Sequence, residues 1–347
     1  MAVQSNAFSK ASTPNRGRID WLDGWRTIAL LFVIVEHWYL LYHPEQSLYG
    51  KAGVFIFFSI SGYIVTRLLI REKSRQGTVD FRAFYIRRAA RILPPLLMYL
   101  GGCLIVLGWD NDLVAKLARA ALFTCNIKLG ASDCTWIVGH TWSLGFEEQF
   151  YLILPFAFAS FAAKRTWLLL LPALTLALLP VLFPLHWIGM VGWVQIYMLL
   201  GGGALLAWHE ERLIPFLERI PWYVALSSLA LGIAMTRVPV GIAQKLTLPI
   251  VPLTILIGVF ALPSASDRAR RFLAWKPMAT LGLYSYTLYL WQQLVLMDGM
   301  FVLWWSQTLA LLAALAFSAF SFRFIETPFR DLGRRLSGPR ASAQPAT

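Results

Sequence analysis

Charge is what this sequence has least of: Asp, Glu, Lys and Arg make up 14% of its 347 residues, where soluble domains carry about 25%. Acids are the scarcer sign, 18 against 31 Lys and Arg. With three cysteines and five histidines, a disulfide-built scaffold is excluded. The histidines are scattered without metal-ligand spacing, so no metal is expected. Glycine-rich cofactor fingerprints are missing too, so no permanently bound cofactor is expected.

What fills the chain instead is apolar. Hydrophobic residues make up 58% of it, 15 Trp are present, and mean hydropathy is +0.59. Apolar runs broken about every twenty residues by short polar segments describe an all-α, polytopic membrane helix bundle. About ten transmembrane spans are expected, at 22–42, 50–70, 90–109, 143–162, 166–185, 189–208, 221–236, 246–262, 279–297 and 302–324. Residues 21–330 form one integral domain in this reading. The segments 1–20 and 331–347 read as disordered cytoplasmic tails, and the first span reads as an uncleaved signal rather than a cleaved one.

With the N-terminus inside, six basic residues (Lys51, Lys116, Arg119, Lys128, Arg237, Lys245) fall on outer segments and the rest of the 31 on cytoplasmic ones. This asymmetry selects an N-in, C-in topology. It also explains the net charge of +13 through membrane lipids, so no nucleic-acid partner is expected. Cys125 and Cys134, with eight residues between them in the longest outer loop, are either a disulfide or two free thiols.

Three segments carry chemistry. In "GWRTIALLFVIVEHWYLLYH" Arg26 and His37 are eleven residues apart, which sets them on one helix face with a rise of about 16 Å between them. Arg26 then lies near the cytoplasmic interface and His37 near mid-membrane, where an ionisable group marks a site or pathway unless a neighbouring helix satisfies it. Glu36 points about 100° away and has no assigned role. "KAGVFIFFSISGYIVTRLL" sets Gly53, Ser59, Ser61 and Gly62 in the second span, suited to close helix approach or a local break. It leads to Arg87, Arg88 and Arg91, either loop anchors or an anion site suited to phosphate. "GHTWSLGFEEQFYLILP" brings Glu147 and Glu148 to the outer boundary, and at least one of them turns inward.

These segments, in this order, resemble the membrane-bound acyltransferase family 3. Arg26 with His37 fits its Arg-ten-His pattern, and "GVFIFFSISGYIVTRLL", "FYIRRAARILPP" and "TWSLGFEEQFYLILP" fit its next three motifs. "GLYSYTLYLWQQ" and "SFRFIETPFR" resemble its last two spans. Gln292 stands where many relatives carry His, and an amide does not titrate near neutral pH. The extracytoplasmic hydrolase-like domain found on some members is not expected here.

The resemblance implies a ten-span acyltransferase of the bacterial plasma membrane. Its donor would be acyl-CoA, acetyl-CoA in the simplest case. Its acceptor would be a hydroxyl-bearing glycan, lipid-linked sugar or macrolide. By the same implication His37 is the general base and Glu147 its catalytic partner. Arg26, Arg87, Arg88 and Arg91 bind donor phosphates, and Ser61 meets the thioester oxygen. Trp142, Ser143, Tyr289 and Gln292 orient substrate. The residues by themselves leave open a membrane carrier that uses His37 and Glu147 as a proton route.

Overall fold

The structure is a computed structural model, and it describes residues 19–43, 46–127, 134, 136–160, 190–238, 242–296 and 304–338. Among these residues all regular structure is helical. The longer helices are α1 (Asp20–Leu40), α2 (Gly50–Gln76), α3 (Phe81–Leu107), α4 (Asn111–Ala121), α5 (Trp142–Ser160), α6 (Met190–Trp208), α7 (Trp222–Met235), α8 (Ile242–Ala265), α9 (Lys276–Val295), α10 (Trp304–Ser321) and α11 (Thr327–Leu336).

Four helical stretches are long and apolar enough to cross a membrane: Gly50–Gln76, Phe81–Leu107, Thr247–Ala265 and Trp305–Leu336. They make the chain an integral membrane protein. Four among the described residues is fewer than the ten expected, and the shortfall has physical causes. α1 carries Asp20, Asp23, Arg26 and Glu36, too much charge for a lipid-facing span. Gly192–Trp208 and Trp222–Met235 are apolar but short, and Tyr, Ser and Gln side chains make α9 more polar. The span expected at 166–185 lies outside the described residues.

The helices group into two compact units, Met1–Arg71 with Phe146–Ser285 and Glu72–Gly145 with Tyr286–Thr347. In the first unit, glycine faces let backbones touch. A Cβ on Gly53 would lie 2.3 Å from the Ala29 carbonyl oxygen, so α2 rests directly on α1. On its other side, α2 meets α6 reciprocally: a Cβ on Gly62 would lie 1.9 Å from Leu200 O, and one on Gly203 2.2 Å from Ser59 O. Between the readings left open for this glycine-serine segment, close approach holds, because α2 is unbroken through Gly62.

In the second unit, α3 begins earlier than the expected span. Asp80 caps it by accepting from the Ala83 amide at 2.9 Å, so the arginine cluster lies within the helix. Pro94 and Pro95 also lie inside α3. The core beyond them packs Leu96, Tyr99, Leu100 and Cys103 against Leu117, Ile137, Val138, Leu290 and Leu294. The C-terminal boundary expected at 330 moves outward. α11 continues to Leu336, and a Cβ on Gly333 would lie 2.6 Å from the Ala90 Cβ. This helix packs on α3, so residues 331–336 belong to the folded part rather than to a tail.

Candidate active site

In the first unit, α1 ends on the Glu36–His37 pair. His37 is half-buried in the last turn, while Glu36 is 8% exposed. The Glu36 carboxylate accepts from Ser47 Oγ at 2.6 Å, from the Leu48 amide at 2.7 Å and from the Gly50 amide at 2.9 Å. It therefore satisfies orphan donors at the start of α2, a capping task usually done from within the same helix. The closeness needs a glycine, since a Cβ on Gly50 would lie 2.7 Å from the Glu36 side chain. The role sequence reasoning left blank is thus structural, and its signal was a serine just ahead of a helix start with no cap of its own.

Glu147, on the second turn of α5, is fixed by two hydroxyls. Ser61 donates to Oε1 at 2.9 Å and Tyr151 to Oε2 at 3.2 Å. Ser61, expected at the thioester oxygen, thus donates to a carboxylate, and Tyr151, not named as a site residue in the sequence, is a second donor to it. The residue before Glu147 in α5, Phe146, sits edge-on to Phe58, Trp193 and Tyr197. Arg26 pairs with buried Asp23 at 3.5 Å on the first turns of α1.

In the second unit, Arg87 is ion-paired with Glu72, whose other oxygen accepts from the Asp80 amide at 3.0 Å. Arg88 lies 5.8 Å over the Phe84 ring, and Arg91 is half-buried one turn beyond Arg87. The three guanidinium groups lie within two helical turns, one of them already holding a carboxylate.

The expected substrate-orienting residues also fall in this unit. Ser143 Oγ and the Tyr289 hydroxyl are 2.9 Å apart, and that hydroxyl donates to the His140 carbonyl at 2.9 Å. The His140 ring, 5% exposed, stands edge-on to Tyr99 and Tyr289. This buried histidine was not singled out in the sequence, where it read as part of a boundary segment. The fully buried Gln292 amide donates to Gln293 Oε1 at 3.1 Å, and Trp142 is half-buried. Cys125 and Cys134 are joined by a disulfide and pack against the Tyr99–Ile137 core. Deeper in α9, Thr287 donates to Glu326, a buried carboxylate on the π-helical turn that joins α10 to α11. No group of three or more metal-ligating side chains occurs among the described residues.

Apolar helices that carry a clasped, partly buried carboxylate and an ionisable helix end define an integral membrane protein with polar groups among its helices. Residues 19–325 match the family described as "Acyltransferase domain", and the chain belongs to that family. It is 26% identical over 362 residues to the O-acetyltransferase OatA of Staphylococcus aureus (strain NCTC 8325 / PS 47), covering 90% of this chain and 57% of that protein. It is 26% identical over 368 residues to "Putative peptidoglycan O-acetyltransferase YrhL" of Bacillus subtilis (strain 168), covering 93% and 56%. A 149-residue stretch is 36% identical to a "Putative O-acetyltransferase" of S. aureus (strain COL), covering 40% and 24%. The chain thus spans 24% to 57% of the length of these relatives. No solved structure matches it.

Proposed function

We propose that the protein is an enzyme that transfers an acyl group, acetyl in the simplest case, from acyl-CoA to a hydroxyl of a glycan, a lipid-linked sugar or a glycosylated small molecule. The observation that carries this reading is the family match across 19–325, with His37 and the clasped Glu147 on the helices where its motifs lie. Names of O-acetyltransferases among the relatives support the choice of acyl group.

In the reaction, neutral His37 takes the proton of the acceptor hydroxyl as its oxygen attacks the thioester carbonyl. The new C–O bond forms, the C–S bond breaks, and the proton passes to the departing coenzyme A thiolate. Glu147, aimed by Ser61 and Tyr151, orients the acceptor hydroxyl. The guanidinium groups of Arg87, Arg88 and Arg91 bind the donor phosphates bidentately, and Arg26 has the same role. Ser143, Tyr289, Trp142 and Gln292 order substrate.

Purified protein in nanodiscs, given radiolabelled acetyl-CoA and acceptor, tests the scheme. His37→Ala should lower turnover by about 10²–10⁴-fold, the usual worth of a positioned general base. Transfer at the wild-type rate in that variant sinks the His37 assignment. Glu147→Gln should lower turnover while leaving the KM for acetyl-CoA within about twofold, because its loss falls on interactions made in the transition state.

A further inference from the structure

At the end of α1 that carries His37, the Glu36 carboxylate ties Ser47, Leu48 and Gly50, at the approach to α2, to α1. Its negative charge is turned inward and satisfied there. The surface this leaves outward is aromatic and cationic. Tyr39 and His43 lie ring to ring, with centroids 4.5 Å apart and planes 30° apart, and the Tyr39 hydroxyl donates to Gln46 at 3.0 Å. Tyr42 is 50% exposed. Arg237 rides over the Tyr49 ring at 5.3 Å, and the Lys51 ammonium lies 5.3 Å over Phe55.

The two cations differ from the other basic residues described on outer segments. Lys116 is paired with Asp112, and Arg119 donates to the carbonyls of Thr124 and Ile127. Lys51 and Arg237 are both exposed, and neither forms an ion pair among the described residues.

Rings alone at a helix end would serve as bilayer anchors. Here they are held in pairs before any ligand arrives, which lowers the ordering cost of binding. Ring faces pack on the C–H faces of a sugar, and the polar edges hydrogen-bond its hydroxyls. Two cations without a carboxylate partner add attraction for an anionic substituent. We propose that residues 39–43 and 46–51 with Arg237 form the acceptor subsite, and that the acceptor is a glycan bearing carboxylate or phosphate groups. The proposal rests on the acyl-transfer reading and on the N-in orientation of α1. It goes further by naming the acceptor's charge class and where it docks.

The test supplies radiolabelled acetyl-CoA and a glycan fraction from source cells lacking the gene to the protein in nanodiscs. Label should appear in a product that binds an anion-exchange resin at neutral pH. Removing the carboxylates by reduction, or the phosphates by phosphatase, before the assay distinguishes the two anionic groups. Lys51→Gln with Arg237→Gln should raise the acceptor KM about tenfold, the worth of two exposed cation contacts. The charge-keeping pair Lys51→Arg with Arg237→Lys should restore it. A labelled product that is neutral overturns the proposal, as does an unchanged acceptor KM in the glutamine pair, which would make the patch a bilayer anchor only. If the wild type transfers no label at all, the acyl-transfer reading falls and the subsite falls with it.

Discussion

At the scale of single residues, the carboxylates divide the labour. Glu36 is the more conspicuous charge in its stretch, yet three donors occupy it and fasten one helix start to another helix end. Glu147 accepts from the Ser61 and Tyr151 hydroxyls, which aim it within the bundle rather than join two helix ends. The difference is measurable. In Glu36→Gln, the carboxamide nitrogen must face a hydroxyl or an amide that itself donates, so the variant should lose about 1.5–3 kcal/mol, the range for hydrogen bonds to a charged group. Ser47→Ala removes one donor and leaves the carboxylate its two amides, so its loss should be smaller, about 0.5–1.5 kcal/mol. Thermal unfolding in detergent gives the order, and faster amide exchange at Leu48 and Gly50 in Glu36→Gln locates it. Equal stability of Glu36→Gln and wild type would refute the clasp.

At the scale of elements, glycine decides which helices touch. The segment holding Gly53 and Gly62 was legible as a small-residue face. The sequence could not say that α6 answers it through Gly203, because that contact joins residues more than a hundred positions apart. Gly62→Ala drives a methyl into the Leu200 backbone, which cannot swing aside as a side chain would. Overpacking of that kind should cost about 1–3 kcal/mol. Gly101 is the control within the bundle: nothing lies within 4 Å of its would-be Cβ. There alanine should be neutral or stabilising by up to about 1 kcal/mol, since it removes glycine's helix penalty. Melting temperatures of the two variants should therefore move apart, and a Gly101→Ala loss as large as that of Gly62→Ala would refute close backbone packing as the cause. The disulfide loop follows the same logic. Replacing Cys125 and Cys134 by Ser should cost about 2–3 kcal/mol through the freed unfolded chain, with early proteolysis between residues 122 and 140 as the readout.

At the scale of the whole molecule, apolar content made the all-α membrane class readable before any contact was known. Helical spacing put His37 near mid-membrane, whereas in the structure it lies in the last turn of α1. Less legible was how the polar groups share partners. Ser61 meets Glu147 and Thr287 meets Glu326 across long sequence separations, and local periodicity carries no information on such pairs. Span counting suffered for a related reason: α1 and α9 hold polar groups that burial inside a bundle tolerates but a hydropathy window does not. The charge asymmetry makes one claim about the whole chain that side-chain contacts cannot supply, namely which ends face the cytoplasm. If basic residues set orientation, single cysteines placed at Ser47 and Arg237 should react with a membrane-impermeant maleimide on intact cells. Those placed at Gln76 and Arg270 should react only after the membrane is opened. Native Cys103 is buried and Cys125 and Cys134 are bonded to each other, so the background is low. Labelling of Gln76→Cys from outside would reverse the topology, setting the arginine cluster and the aromatic patch on the wrong sides for the proposed donor and acceptor.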